Sequence, residues 1–156
     1  MGGFSLIELL IVVAVILIIA AIAIPNFLRA RMAANEAATV SSCRNITTAE
    51  VVYSTTYGRG FSQTLAQLGP PAAGAPATAN RASLLDEILT SGTKHGYNFS
   101  YVAFDTNNDC VYEAFTLNAN PSNFGKSGSR YFFTDQTGVI RQNSTRPANE
   151  TDPPIR

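Results

Sequence analysis

Histidine occurs once in these 156 residues, at His95, and cysteine twice, at Cys43 and Cys110. Lys and Arg are missing altogether before Arg29. Each shortage excludes something. A single histidine with no partner suggested by spacing leaves no His-rich metal set. Bounded by Gly92 and Gly96, His95 reads as a solvated loop residue. The chain also lacks a Gly-rich phosphate loop, a nucleophile elbow and a metal-ligand cluster, so no catalytic residue and no cofactor is expected. Lys and Arg total 11, Asp and Glu 11, and no basic run stands out. That balance carries no electrostatic footprint of a nucleic-acid binder, so nucleic acid is not expected as a partner. An ordinary cleaved secretory signal needs basic residues ahead of an apolar region of about 7–15 residues. Here nothing basic precedes the apolar region, which is also longer. A retained apolar helix is the better reading.

What the chain does have is concentrated at its start. From Phe4 to Ile24 every residue is apolar except Ser5 and Glu8, and Glu8 is the only charged side chain before Arg29. As a helix this stretch is roughly 32 Å long, about the thickness of a hydrocarbon core. A carboxylate one turn inside such a helix is expensive to place in lipid and calls for a partner. From Arg29 onward the chain is polar and long enough for one small domain with its own core.

Pro25 lacks an N–H and its ring crowds the carbonyl of Ala21, so a kink is expected there, with helix on both sides. From Phe27 to about Tyr57, Val40, Cys43, Ile46, Ala49, Tyr53 and Tyr57 recur at spacings of three and four. This is one apolar stripe on a helix whose other residues, among them Arg31, Asn35, Glu36, Thr39, Arg44 and Thr48, are polar. Gly58 and Gly60 end it. Ser62 to Leu68 predicts a short helical turn, Gly69 to Asn80 a Pro/Ala/Gly/Thr surface loop, and Ser83 to Leu89 a capped short helix finished at Gly92. The period then changes to two. Tyr97 to Tyr101 and Cys110 to Leu117 predict strands around a turn at Asp105 to Asp109. Tyr131 to Phe133 and Val139 to Arg141 predict a hairpin across Asp135 to Gly138. The sum is an α+β fold, a long helix packed on an antiparallel sheet of three or four strands. The polar, Pro-rich tail from Gln142 to Arg156 is expected to be mobile.

The residues Gly3-Phe4-Ser5-Leu6-Ile7-Glu8-Leu9-Leu10-Ile11-Val12-Val13, continued by Ala20-Ala21-Ile22-Ala23-Ile24-Pro25-Asn26-Phe27, resemble the processing and methylation motif of type IV pilins and type II secretion pseudopilins. The resemblance implies a leader, residues 1–3, removed by a prepilin peptidase that cuts between Gly3 and Phe4 and N-methylates Phe4. It implies a transmembrane and assembly helix at 4–28, with Glu8 and Pro25 serving assembly. A globular pilin domain at 29–141 and the tail at 142–156 complete the layout. The physics of Glu8 agrees: after cleavage the Phe4 amine lies one helical turn, about 6 Å, away. In an apolar medium an amine and a carboxylate offset each other's desolvation, within one chain or between neighbours.

Cys43 lies on the inward stripe and Cys110 at the start of a strand, so a disulfide is expected in preference to two buried thiols. It would stabilise the domain by on the order of 4 kcal/mol in the chain-entropy model. Asp105, Asn107 and Asp109 are spaced like the opening of a calcium loop, but Cys110 stands where its glycine belongs and Thr116 where its glutamate belongs. A hairpin turn is the preferred reading, and calcium stays open only because some pseudopilins bind it. The Asn-X-Ser/Thr triplets at Asn45, Asn98, Asn143 and Asn149 match a short pattern expected by chance. The aromatics Tyr53, Tyr57, Phe61, Tyr97, Phe99, Tyr101, Phe132 and Phe133 fall at core periods and are assigned to the core.

Arg29, Arg31 and Arg44 follow the span, which by the positive-inside rule turns the domain toward the cytoplasm. The cysteine pair and the resemblance turn it outward, and that orientation is taken. The expected function is that of a structural subunit of a type IV pilus, a helical homo-oligomer. Its precursor sits in the inner membrane, meets the prepilin peptidase/methyltransferase and the inner-membrane assembly machinery, and ends in an extracellular or periplasmic filament. The rival readings are the major pseudopilin of a type II secretion system and a membrane-tethered domain that does not polymerise.

Overall fold

The structure, a computed structural model, describes residues 5–155. Gly3 and Phe4, and with them the expected cleavage and methylation position, lie outside the described residues. One helix, α1 (Leu6–Tyr57), dominates the chain. It starts at Ser5, whose hydroxyl accepts the Ile7 N–H at 3.4 Å while the Glu8 carboxylate accepts the Ser5 N–H at 2.9 Å. This is a capping box, Ser-x-x-Glu. The helix then continues through Pro25, because the bond lost at its nitrogen is one among dozens along the helix. It stops at Gly58, which takes the left-handed conformation (φ 63°) and donates its N–H to the Ser54 carbonyl.

Behind α1 the chain makes a 3-10 turn (Leu65–Leu68) and a one-turn helix, α2 (Glu87–Thr90), and then a sheet. The strands are β1 (Thr93–Lys94), β2 (Tyr97–Phe104), β3 (Ala114–Pro121), β4 (Tyr131–Asp135) and β5 (Arg141–Asn143), all antiparallel in sequence order. This is the α+β, pilin-like architecture: a 52-residue N-terminal helix whose second half packs on a five-stranded antiparallel meander. Strand β1 is two residues long and β3 begins four residues later than its hydrophobic run, because Asp105 to Cys110 holds the chain in a turn. Asp86, not Ser83, caps α2, accepting the Leu89 N–H at 2.8 Å.

The core lies between α1 and the inner face of the sheet. Cys43, Ile46, Ala49 and Tyr53 from the helix meet Tyr97, Phe99, Leu117, Ala119 and Phe132, with Leu65, Leu68 and Leu89 closing the end near the helix C-terminus. The stripe read from the sequence is the stripe that is buried, with Val40 and Tyr57 partly exposed at its margins.

The tail expected to be mobile is instead a strap. Gln142 N–H bonds the Pro153 carbonyl at 3.0 Å and Ile155 N–H the Ile140 carbonyl at 2.9 Å, so the segment closes on the β5 edge. Its loop crosses the outer face of the sheet, where Asn118 donates to the Ala148 carbonyl at 2.8 Å. Phe133, which pairs with Asn118 on that face, is thereby covered, as is Ala148. The physical reason is Asp152. It is buried and accepts bonds from Arg146, from the Asn143 side chain and from the Asn149 N–H, so the polar residues of the tail satisfy one another.

Candidate assembly surface and buried polar sites

The surface that demands a partner is the first half of α1. Leu6, Leu9, Ile16, Ile22 and Phe27 are each exposed over more than half their area, and no residue from 5 to 30 is buried. Fully burying one such side chain is worth about 1.5–3 kcal/mol, so leaving this many in water is not sustainable. The stretch is long and apolar enough to cross a membrane. An apolar helix of this kind at the N-terminus is what membrane anchoring or export uses. Glu8 is spent locally as the capping carboxylate through one oxygen, and its other oxygen has no hydrogen bond among the described residues. The Ser5-x-x-Glu8 spacing was a legible signal for this cap that the resemblance to a processing motif overshadowed. Pro25 sits within the exposed half, inside continuous helix.

Two further carboxylates were hidden in the sequence. Glu36, assigned there to the polar face of the helix, is buried, as is Thr39. One oxygen of Glu36 accepts Ser129 N–H at 2.7 Å and Ser129 Oγ–H at 2.9 Å; the other meets Arg130 Nε and Nη2, each at 2.7 Å. Arg130 also donates to Gln142 at 2.7 Å and lies over the Phe132 ring. Burial pushes the Glu36 carboxyl up, but the Ser129 donors and the Arg130 guanidinium outweigh it and hold it below the usual carboxylate range. Glu50 is fully buried near the other end of the domain. It accepts Ser62 N–H at 2.8 Å and Ser62 Oγ–H at 2.6 Å, and Tyr101 donates to the Ser62 carbonyl at 2.7 Å. No cation faces it among the described residues, so desolvation wins over those hydrogen bonds and its carboxyl is raised. The missed signal was the spacing: Glu36, Cys43 and Glu50 are seven apart, two turns each, on one face.

The expected disulfide is not formed. Both cysteines are free, Cys43 buried and Cys110 exposed. Cys110 lines a hollow with Tyr53, Arg59, Phe61 and Tyr112 at the C-terminal end of α1. Tyr53 is ten residues beyond Cys43, about 15 Å along the helix, far outside the Cα separation a disulfide tolerates. The late start of β3 is what keeps Cys110 out on the turn. Burial pushes the Cys43 thiol up to about 12.

The turn at Asp105 to Asp109 is a self-contained hydrogen-bonded loop. Asp105 accepts the Cys110 N–H at 2.9 Å and Asp109 the Val111 N–H at 2.8 Å. The hairpin returns Glu113, which the spacing had not suggested, so that carboxylate oxygens of Asp105, Asp109 and Glu113 lie within 4.8 Å of one another. His95 is exposed in the β1–β2 turn. Of the aromatics assigned to the core, Tyr53, Tyr97, Phe99 and Phe132 are in it, whereas Phe133 lies under the strap. No family model, no curated protein and no solved structure matches this chain, and its pilin-like character rests on the architecture itself.

Proposed function

We propose that the chain is a structural subunit of a type IV pilus-like filament, anchored first in a membrane through α1 and then packed helix against helix in a polymer. The observation that carries this reading is the division of one unbroken helix, apolar and uncovered from Leu6 to Leu28 and built into a domain core from Glu36 to Tyr53. A helix with no polar side must be surrounded, either by lipid or by copies of itself. Exchanging lipid for neighbouring helices brings no further hydrophobic gain, so close packing has to drive it, and polar groups inside the bundle then decide register. Glu8 is the one charged group in the apolar stretch, and cleavage between Gly3 and Phe4 would supply an amine for it. The role is structural, with no catalytic residue assigned.

Glu8→Val tests the reading. The variant should still insert into membrane but give no filaments, or only short ones, in sheared surface material viewed by electron microscopy. Normal filaments would refute the register role. Mass spectrometry of assembled protein should find N-methylated Phe4 as its first residue, and an intact Met1 there would refute processing.

A further inference from the structure

Where α1 leaves its apolar stretch, three separate parts of the chain converge on a pocket of about 310 Å³. Arg31 and Asn35 come from the helix, His95 and Gly96 from the β1–β2 turn, and Lys126 and Ser127 from the loop after β3. The walls are fastened. Asn35 donates to the Ser127 carbonyl at 3.0 Å, Ser127 Oγ–H bonds the Asn123 carbonyl at 3.0 Å, and Ser122 N–H bonds the Gly96 carbonyl at 2.9 Å. A Cβ at residue 96 would stand 2.8 Å from that of Ser127, so only glycine lets turn and loop meet.

The pocket has cations and no carboxylate. Arg31 and Lys126 form no salt bridge among the described residues; those formed are Lys94–Asp86, Arg130–Glu36 and Arg146–Asp152. Glu36, one residue past Asn35, is buried and committed to Arg130 and Ser129. The ring N–H of His95 has no acceptor among the described residues.

Its level along the helix is informative. Arg31 and Asn35 are three and seven residues beyond Leu28, about 5 and 10 Å along the axis. A headgroup layer is about 5–8 Å deep on each side of the hydrocarbon core. With Leu6 to Leu28 in lipid, the pocket opens at the headgroups, and Phe124, 51% exposed on the Lys126 loop, lies beside it in sequence.

We infer that this pocket, built by Arg31, His95 and Lys126 on the frame of Asn35, Gly96 and Ser127, binds the phosphate of an anionic phospholipid and seats the globular domain on the membrane surface. The inference rests on the membrane-anchored state proposed above. It also gives Arg31, one of the arginines that follow the span, a role in headgroup binding on the side where the domain lies.

The test uses the full chain in non-ionic detergent, titrated with phosphatidylglycerol or phosphatidylcholine, with bound lipid counted by native mass spectrometry. Phosphatidylglycerol should be preferred at least tenfold. Each of R31Q and K126Q should cut that preference roughly fivefold, and the pair should abolish it. R44Q, on the same helix outside the pocket, should leave it unchanged. An unaltered circular-dichroism melting curve identifies the variants as folded. Equal uptake of both lipids, a preference that survives R31Q with K126Q, or displacement of the lipid by millimolar inorganic phosphate overturns the inference; the last makes the pocket a free-anion site. Carbonate-resistant retention of the chain in phosphatidylcholine vesicles separates the two levels. If retention fails, the anchored state itself is wrong; if it holds while both lipids bind equally, only the pocket is.

Discussion

Glu36 and Glu50 are the same residue type on the same face of the same helix, yet their environments give them opposite behaviour. Glu36 has a guanidinium and a serine N–H, so folding favours its charged form. Its contribution is present above the ordinary carboxylate value and is lost as pH falls through the depressed folded value. Glu50 has only neutral donors, so folding favours its protonated form. Its contribution is present in acid and is lost as pH rises through the raised folded value. Opposite pH signatures follow. Glu36→Gln should cost about 2–3 kcal/mol at neutral pH, because Arg130 loses its partner, and should flatten the loss of stability in acid. Glu50→Gln keeps an acceptor for the Ser62 N–H and should flatten the loss that accompanies rising pH without lowering the melting temperature. Melting curves of both variants between pH 4 and 9, read by circular dichroism, check this pair of expectations.

At the scale of elements, the segment after β5 shows how a polar run becomes ordered mainly through its own hydrogen bonds, with only Ala148 and Ile155 adding apolar contact. Its apolar content is small, but Asp152 collects donors from Arg146, Asn143 and Asn149 and holds the loop in the conformation that shields the β5 edge and Phe133. An uncovered edge strand is open to pairing with another chain, so the strap also protects the sheet. Asp152→Ala should release it. Amide exchange at Gln142 and Ile155 should then rise at least tenfold while that of β2 stays unchanged, as read by hydrogen–deuterium exchange. Unchanged exchange at those two amides would mean that Asp152 is not the fastening.

For the whole molecule, the telling division is between the half of α1 that the domain uses and the half that it does not. Among the described residues, none before Glu36 is buried in this fold. The domain's stability should therefore be independent of the apolar stretch, which is reserved for lipid or for other copies. A chain beginning at Arg29 should fold, remain monomeric in solution and melt within about 5 °C of the full chain in detergent, by circular dichroism. A collapse of its melting transition would show that the shaft supports the domain.

Much of this was legible in the residues themselves, for physical reasons that differ by element. The apolar stretch, the stripe at Cys43, Ile46, Ala49 and Tyr53, and the alternation at Tyr97 to Tyr101 are periodic over several turns or repeats, and a period decides both element type and buried face. The turn at Asp105 to Asp109 was legible because its hydrogen bonds are local. What only the tertiary structure decided depends on residues far apart in the chain. Glu36 looks like a solvated charge until Ser129 and Arg130 arrive, and the tail looks free until Asp152 meets Arg146. Cys43 and Cys110 look like a pair until the fold sets Cys110 beside Tyr53, about 15 Å further along the helix than Cys43. The basic pocket exists only where helix, turn and loop meet around Gly96. Local periodicity determined the shaft and the core stripe; long-range partners determined which charges are buried, which are free, and where on the surface they point.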